Sequence, residues 1–224
     1  MSPAPPPPVG ATILLNWDWI GRNLDAIAAS VGEHVLLTVP PVLLGLVIAF
    51  GLALLVRSHR RLYAPLLRTT GVLFAVPSLA FFALLIPVLG LSRANAYVAL
   101  TIYTLVVLLP SVVEGLDSVP RAVRESADAM GYAPRARLWR VELPLAAPVI
   151  IAGVRIATVT IIGLVTVTAF IGFGGLGRDI LTGYNRAFPT QIIVGLTLTA
   201  ALAIVADLAL LALQRALSPW REAR

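Results

Sequence analysis

The sequence predicts an all-α polytopic membrane protein, with about five transmembrane helices preceded by a short interfacial helix. Three observations carry this. Of the 224 residues, 58% are hydrophobic and only 12% charged, with a mean hydropathy of +0.91, whereas soluble chains run near roughly 45–50% and about 25%. The apolar residues gather in stretches long enough to cross a bilayer, and the cations segregate to one set of loops. A soluble domain of this length has too little interior to hide that much apolar surface, so an ordinary soluble enzyme is excluded.

Residues 1–11, which include MSPAPPPPVG, are too rich in proline for helix or sheet and read as a disordered tail; no basic segment precedes an apolar one, so they are not a signal peptide. Residues 12–33 mix Ile13, Leu14, Leu15, Ile20, Leu24 and Ile27 with Asp18, Arg22, Asp25 and Glu33. With Trp17 and Trp19, whose rings suit the headgroup layer, they read as an amphipathic interfacial segment. The body, 34–214, holds apolar stretches at 35–56, 69–90, 96–116, 145–171 and 190–214. Each passes the roughly 20 residues a span needs, and lipid forces internal backbone pairing, so each is expected to be a helix. Pro40–Pro41, Pro77, Pro87 and Pro110 are expected to kink or interrupt them. Residues 215–224 form a tail.

All 17 cationic residues are arginines. Twelve lie in the 57–68 and 117–144 loops and the C-terminal tail; Arg22, Arg93, Arg178 and Arg186 lie on the other side, and Arg155 lies inside a span. That bias puts those loops and the C-terminus in the cytoplasm and the N-terminus outside, as five spans require. It also accounts for the +6 net charge without nucleic acid as a partner. There is no cysteine, and His34 and His59 are far apart in sequence, so neither disulfide nor metal site is expected. With no P-loop and no catalytic constellation, the chain is expected to be no enzyme and to need no cofactor.

The loop 117–144, DSVPRAVRESADAMGYAPRARLWRVELP, is the longest between spans and holds five of the arginines. Pro120 suits a first helical turn, Arg121 to Met130 is a helix run, and Gly131 suits the left-handed residue that stops a helix. Pro134 is expected to open a second short helix ending before Pro144. Two short helices at a corner suit docking to a partner; a solvated basic loop on anionic lipid is the alternative. Glu125-Ser126-Ala127, three residues, Gly131, nine residues, Val141 and then Leu143-Pro144 resembles the EAA–G–I–LP loop of ABC importer permeases, with Ser126 for the usual Ala and Val141 for the usual Ile. The resemblance implies a type I importer permease (lipid-embedded, paired with ABC ATPase subunits, a second permease subunit and an extracytoplasmic substrate-binding protein). In it Glu125 is a polar contact to the ATPase, Ala127 permits close packing, Gly131 makes the corner, and Leu143 and Pro144 lead into the next span. The chain ends at Arg224, so a separate binding protein is expected.

Residues 141–177 and 76–90, VPSLAFFALLIPVLG, resemble the osmoprotectant subgroup, which implies import of glycine betaine, choline or carnitine. The alternatives are an ABC permease for another solute such as methionine, or, in a different class, a secondary transporter or channel. Gly172, Gly174, Gly175 and Gly177 match a dinucleotide-binding motif by letters, but they follow a membrane span rather than a strand. They read as a tight external turn, plain or engaged in closing the pathway or meeting the binding protein. Arg155 is expected to pair with Glu114 or Asp207, as a structural bridge or a gate. Gly45, Ala49 and Ala53, and Gly153 and Ala157, form small-residue faces for packing within the chain or against a second subunit. Thr158, Thr160, Thr166 and Thr168 read as hydroxyls bonded to their own helix or as pathway lining. Phe81, Phe82, Tyr97 and Tyr103 read as packing residues, with cation–π contact to a quaternary amine as the alternative.

Overall fold

The computed structural model describes residues 15–218, so the proline-rich tail and the last six residues, Arg221 and Arg224 among them, lie outside the described residues. The helices are α1 (Trp17–Arg22), α2 (Leu24–Ser58), α3 (Tyr63–Ala75), α4 (Ser78–Leu89), α5 (Arg93–Asp117), α6 (Arg121–Ala129), α7 (Pro134–Arg137), α8 (Leu143–Val165), α9 (Leu176–Asn185) and α10 (Pro189–Ala216). A π-helical turn, Leu138–Glu142, joins α7 to α8, and a 3-10 turn, Thr166–Ile171, extends α8. No strand occurs among the described residues.

Among the described residues, four continuous helical stretches are long and apolar enough to cross a membrane: α2, α5, Pro134–Ile171 and α10. The expected second span makes a fifth only as a bent pair, because α3 ends at Ala75 and α4 restarts after Pro77. Of the prolines expected to kink or interrupt the spans, Pro77 alone stands at a break. Pro40 and Pro41 lie inside α2, Pro87 inside α4 and Pro110 inside α5. A proline removes one donor from a long ladder, and in a membrane helix neighbouring groups re-satisfy the freed carbonyl.

Two boundaries differ from the sequence reading. Residues 12–14 of the expected interfacial segment lie outside the described residues, and the rest is not one element: α1 begins at an Asn16 cap whose side chain accepts from the Trp19 N–H at 2.9 Å, and past Asn23 the chain enters the 35-residue α2. The second short helix does not end before Pro144 either. It continues through the π turn into α8, where the Leu143 N–H bonds back to the Leu138 carbonyl. The widened turn carries the chain past Pro144, whose ring in a regular helix meets the carbonyl of Arg140.

The chain divides into two compact units. One gathers the described residues to Pro41, Val76–Leu100 and Thr160–Ile204; the other gathers Val42–Ala75, Thr101–Val159 and the chain from Val205. In the first, Trp19 packs edge-on against Phe188 with ring centroids 5.2 Å apart, and Asn95 donates to the carbonyls of Phe82 and Gly90. In the second, Ala49, Ala53 and Val56 of α2 pack on Leu108, Leu109 and Val112 of α5 and on Ala146 and Ile150 of α8. The small residues make that contact close. A Cβ on Gly45 would lie 2.8 Å from Thr104 Cβ, and one on Gly153 would overlap the Ser111 side chain. Both small-residue faces therefore serve packing against α5 within this chain.

Candidate functional site

The corner after α6 is built locally. Met130 caps the helix, Gly131 takes φ +80°, the Gly131 N–H donates to Asp128 O at 2.9 Å, and the Tyr132 N–H donates to Ala127 O at 3.1 Å. This is a Schellman stop, and it needs a residue that tolerates the left-handed region. Nothing lies within 4 Å of where a Gly131 Cβ would sit, so backbone geometry and not crowding calls for glycine. Along α6, Ala127 is buried while Glu125 and Ser126 are exposed. Glu125 pairs with Arg121 at 2.6 Å, and the Ser126 hydroxyl donates to Ala122 O. Val141 lies in the π turn, half-buried; Leu143 packs on the core; Pro144 is exposed.

The centre of this region is a residue the sequence reading passed over. Glu142 is fully buried. Arg57, at the end of α2, donates from Nη2 to Oε1 at 3.0 Å and places Nη1 2.5 Å from Oε2. Arg137 of α7 donates from Nε to Oε1 at 2.8 Å and also pairs with Asp128 of α6. Arg124 of α6 donates to the carbonyls of Leu116 and Val119 at the end of α5. Its buried Nε has no hydrogen bond and faces Glu142 Oε2 at 3.8 Å. A lone buried carboxylate is strongly disfavoured; here the guanidinium groups of Arg57 and Arg137 donate to it and Arg124 lies at ion-pair distance. The signal available beforehand was an acid among five arginines in a segment about to enter a span, but its partner Arg57 is 85 residues away.

The arginine expected inside a span sits on α8. Arg155 makes a two-pronged pair with Asp207 of α10, Nε and Nη2 each at 2.8 Å from a carboxylate oxygen, and Nη1 reaches Gln214 at 3.3 Å. Gln214 in turn donates to Pro148 O at 3.0 Å, a carbonyl in α8's own proline-containing turn. Glu114 lies exposed on α5 and is no part of this group.

The glycine run is a site of close approach. Gly172, Gly174 and Gly175 take φ of +87°, +132° and +44°. A Cβ on Gly175 would lie 2.5 Å from Ser30 O and 2.6 Å from His34 N, and one on Gly177 would lie 2.5 Å from Thr166 Cα. The run thus presses onto α2 and onto the 3-10 turn after α8. His34, fully buried, pins the same region: its Nε2 is 3.0 Å from Ile162 O. Beyond the turn, α9 carries Asp179, bonded by Gln191 at 3.3 Å; burial raises its carboxyl above the usual range, with Ser30, Gln191 and Arg178 opposing.

The hydroxyls of Thr158, Thr166 and Thr168 donate to carbonyls three or four residues back. Phe81, Phe82 and Tyr103 are buried, Tyr103 edge-on to Phe74, and Tyr97 donates to Leu36 O. They line no aromatic cage among the described residues.

Long apolar helices, a broken second span and a helical corner between two spans define a polytopic membrane protein. Residues 40–222 match the family described as binding-protein-dependent transport system inner membrane component, and the chain belongs to that family. It is 38% identical over 191 residues to the glycine betaine/carnitine/choline transport system permease protein OpuCD of Bacillus subtilis, covering 85% of this chain and 83% of that one. It is 36% identical over 187 residues to the choline transport system permease protein OpuBB of the same organism, covering 84% and 86%. Among solved structures, an inward-facing MetNI methionine ABC transporter chain superposes with a TM-score of 0.75 at 21% identity, covering 88% of this chain and 98% of that one. That last likeness is one of fold.

Proposed function

We propose that this chain is the membrane-spanning permease subunit of an ATP-driven importer for osmoprotectants of the glycine betaine, choline and carnitine type. The observation that carries the substrate class is the 36–38% identity, over more than four-fifths of both chains, to permeases named for those solutes. Hydrolysis belongs to separate ABC ATPase subunits. Solute is delivered outside by a binding protein, and a second permease subunit, identical or paralogous, completes the pathway in the inner membrane. The N-terminus is outside and the arginine-rich loops and C-terminus are cytoplasmic.

In this reading the α6 corner is the element the ATPase grips. Exposed Glu125 supplies a polar contact, buried Ala127 lets α6 lie close to its own subunit, and Gly131 holds the turn. Val141, Leu143 and Pro144 carry motion into α8. The Arg155–Asp207 pair ties α8 to α10 as a structural bridge, and Gly172–Gly177 closes the outer end of the pathway. Exposed Trp17 on α1 sits at the outer interface.

The test is uptake by the reconstituted complex. Radiolabelled glycine betaine, choline, carnitine and methionine are offered with the ATPase and the binding protein encoded beside this gene. Uptake of a quaternary amine that requires the ATPase is expected; uptake that survives its loss sinks the importer reading, and preference for methionine sinks the substrate class. Gly131→Ala costs about 1–2 kcal/mol of backbone strain and, like Glu125→Ala, is expected to leave hydrolysis running while uptake falls.

A further inference from the structure

We infer that Glu142 is a positioning residue for coupling: its buried carboxylate links the α6–α7 corner sideways to α2, giving motion a second route besides the continuous chain into α8. The inference rests on the reading of α6–α7 as the ATPase-gripped element. Three features of the cluster point to it. First, the ligands of Glu142 come from separate elements: Arg57 ends α2, Arg137 lies on α7 and Arg124 on α6. Second, the link is rigid on the α2 side. Arg57 donates a hydrogen bond to Oε1 and holds Nη1 at ion-pair distance from Oε2, an oxygen with no hydrogen bond of its own. About two turns back along α2, Phe50 packs on Trp139 of the same π turn at 5.8 Å between centroids. Behind both, Ala49, Ala53 and Val56 lock α2 onto α5. Third, the α6 side is incomplete. Arg137 is shared between Glu142 and Asp128, and Arg124 Nε stops at 3.8 Å without a hydrogen bond.

Displacement of α6 by about 1 Å toward Glu142, with Arg124 Nη2 giving up its carbonyl contacts at the end of α5, brings Arg124 Nε into the ordinary range of an N–H to carboxylate contact. The carboxylate then has one more donor on the moving side and keeps the fixed one on α2. Burial makes the arrangement exacting: an ionised carboxylate away from water follows its guanidinium partners, because separation from them leaves it unpaired. The π turn supplies the local freedom, since Leu138–Glu142 is wound wider than the helices on either side.

The experiment uses the complete complex in proteoliposomes, with radiolabelled glycine betaine and choline as probes. It reads solute carried per ATP hydrolysed. The variants are Arg57→Met, Arg57→Lys, Glu142→Gln and the Arg57→Met/Glu142→Gln double, with Glu125→Ala as the control for ATPase grip. Arg57→Met is expected to keep assembly and hydrolysis while transport per ATP falls at least about tenfold, the scale of a lost charge-assisted hydrogen bond. Arg57→Lys is expected to recover part of the loss, and the double variant to be no worse than Glu142→Gln alone. Should either single variant not accumulate in the membrane, the Arg57→Met/Glu142→Gln double, which leaves no carboxylate stranded, decides the matter on the same transport-per-ATP readout. Uptake and hydrolysis falling in proportion, or transport per ATP unchanged in Arg57→Met, overturns the inference. If Glu125→Ala uncouples and Arg57→Met does not, this inference alone fails. If Glu125→Ala transports like the wild type, the ATPase-grip reading fails and takes this inference with it.

Discussion

Gly177→Ala sets two known effects against each other. Gly177 lies in the first turn of α9 and is not one of the left-handed glycines. Alanine is locally favoured there, by at most about 1 kcal/mol. Against this, the new methyl would lie 2.5 Å from Thr166 Cα and 2.8 Å from its carbonyl carbon, where carbon atoms prefer roughly 3.5–4.0 Å. The obstacle is backbone, so no rotamer change relieves it, and the cost falls in the upper part of the usual overpacking range, about 2–3 kcal/mol. The net expectation is a loss of about 1–2 kcal/mol, or roughly 2–8 °C in Tm for a chain of this size. Thermal unfolding of the purified protein in detergent measures it. Gly51→Ala is the matched control: it lies in α2 with nothing within 4 Å of the new Cβ, and it is expected to be neutral or stabilising. A Gly177→Ala protein as stable as the wild type, with Gly51→Ala behaving as stated, refutes the close-approach argument. Uptake adds a functional reading: Gly174→Val and Gly177→Val proteins that reach normal levels and transport normally would count against a role for the turn in closing the pathway.

Two further outcomes follow from the geometry. Arg155→Met strands Asp207 and is expected to lower thermal stability more than the Arg155→Met/Asp207→Asn double; a reversed pair, Arg155→Glu with Asp207→Arg, restores part of the loss, and strictly additive effects would contradict the pairing. Asp179 has a folded-state pKa raised by burial, so its contribution is fully present below the unfolded value of about 3.9 and is lost as pH rises through the raised folded value. Wild type should therefore gain stability relative to Asp179→Asn as pH is lowered through that window, read as Tm against pH; a gap constant with pH would rule this out.

The corner at Gly131 was legible in the sequence because a Schellman stop is made by six consecutive residues, Ala127 to Tyr132. The partner of Arg155 was legible in depth only. Glu114 and Asp207 lie at similar depths, and the choice between them depends on which way each helix is turned, which packing sets. Glu142 was not legible as a site. An acid beside five arginines reads as ordinary charge balance until the fold brings Arg57 across and excludes water. The prolines read alike for a related reason: a lone proline has the same local signature whether its helix breaks, as at Pro77, or runs on, as at Pro110.

By itself the sequence determined that this protein is helical and membrane-spanning, which loops carry the arginines, and where the chain turns after α6. Each of these depends on composition, or on contacts a few residues long, and needs no knowledge of what lies opposite. The tertiary structure decided the rest: that α3 and α4 part at Pro77, that α7 flows into α8 through a widened turn, that Asp207 rather than Glu114 takes Arg155, and that Glu142 draws in Arg57, Arg124 and Arg137. Those outcomes turn on burial and on partners up to 85 residues apart. A charge becomes costly, and therefore specific, only when packing has removed the water around it.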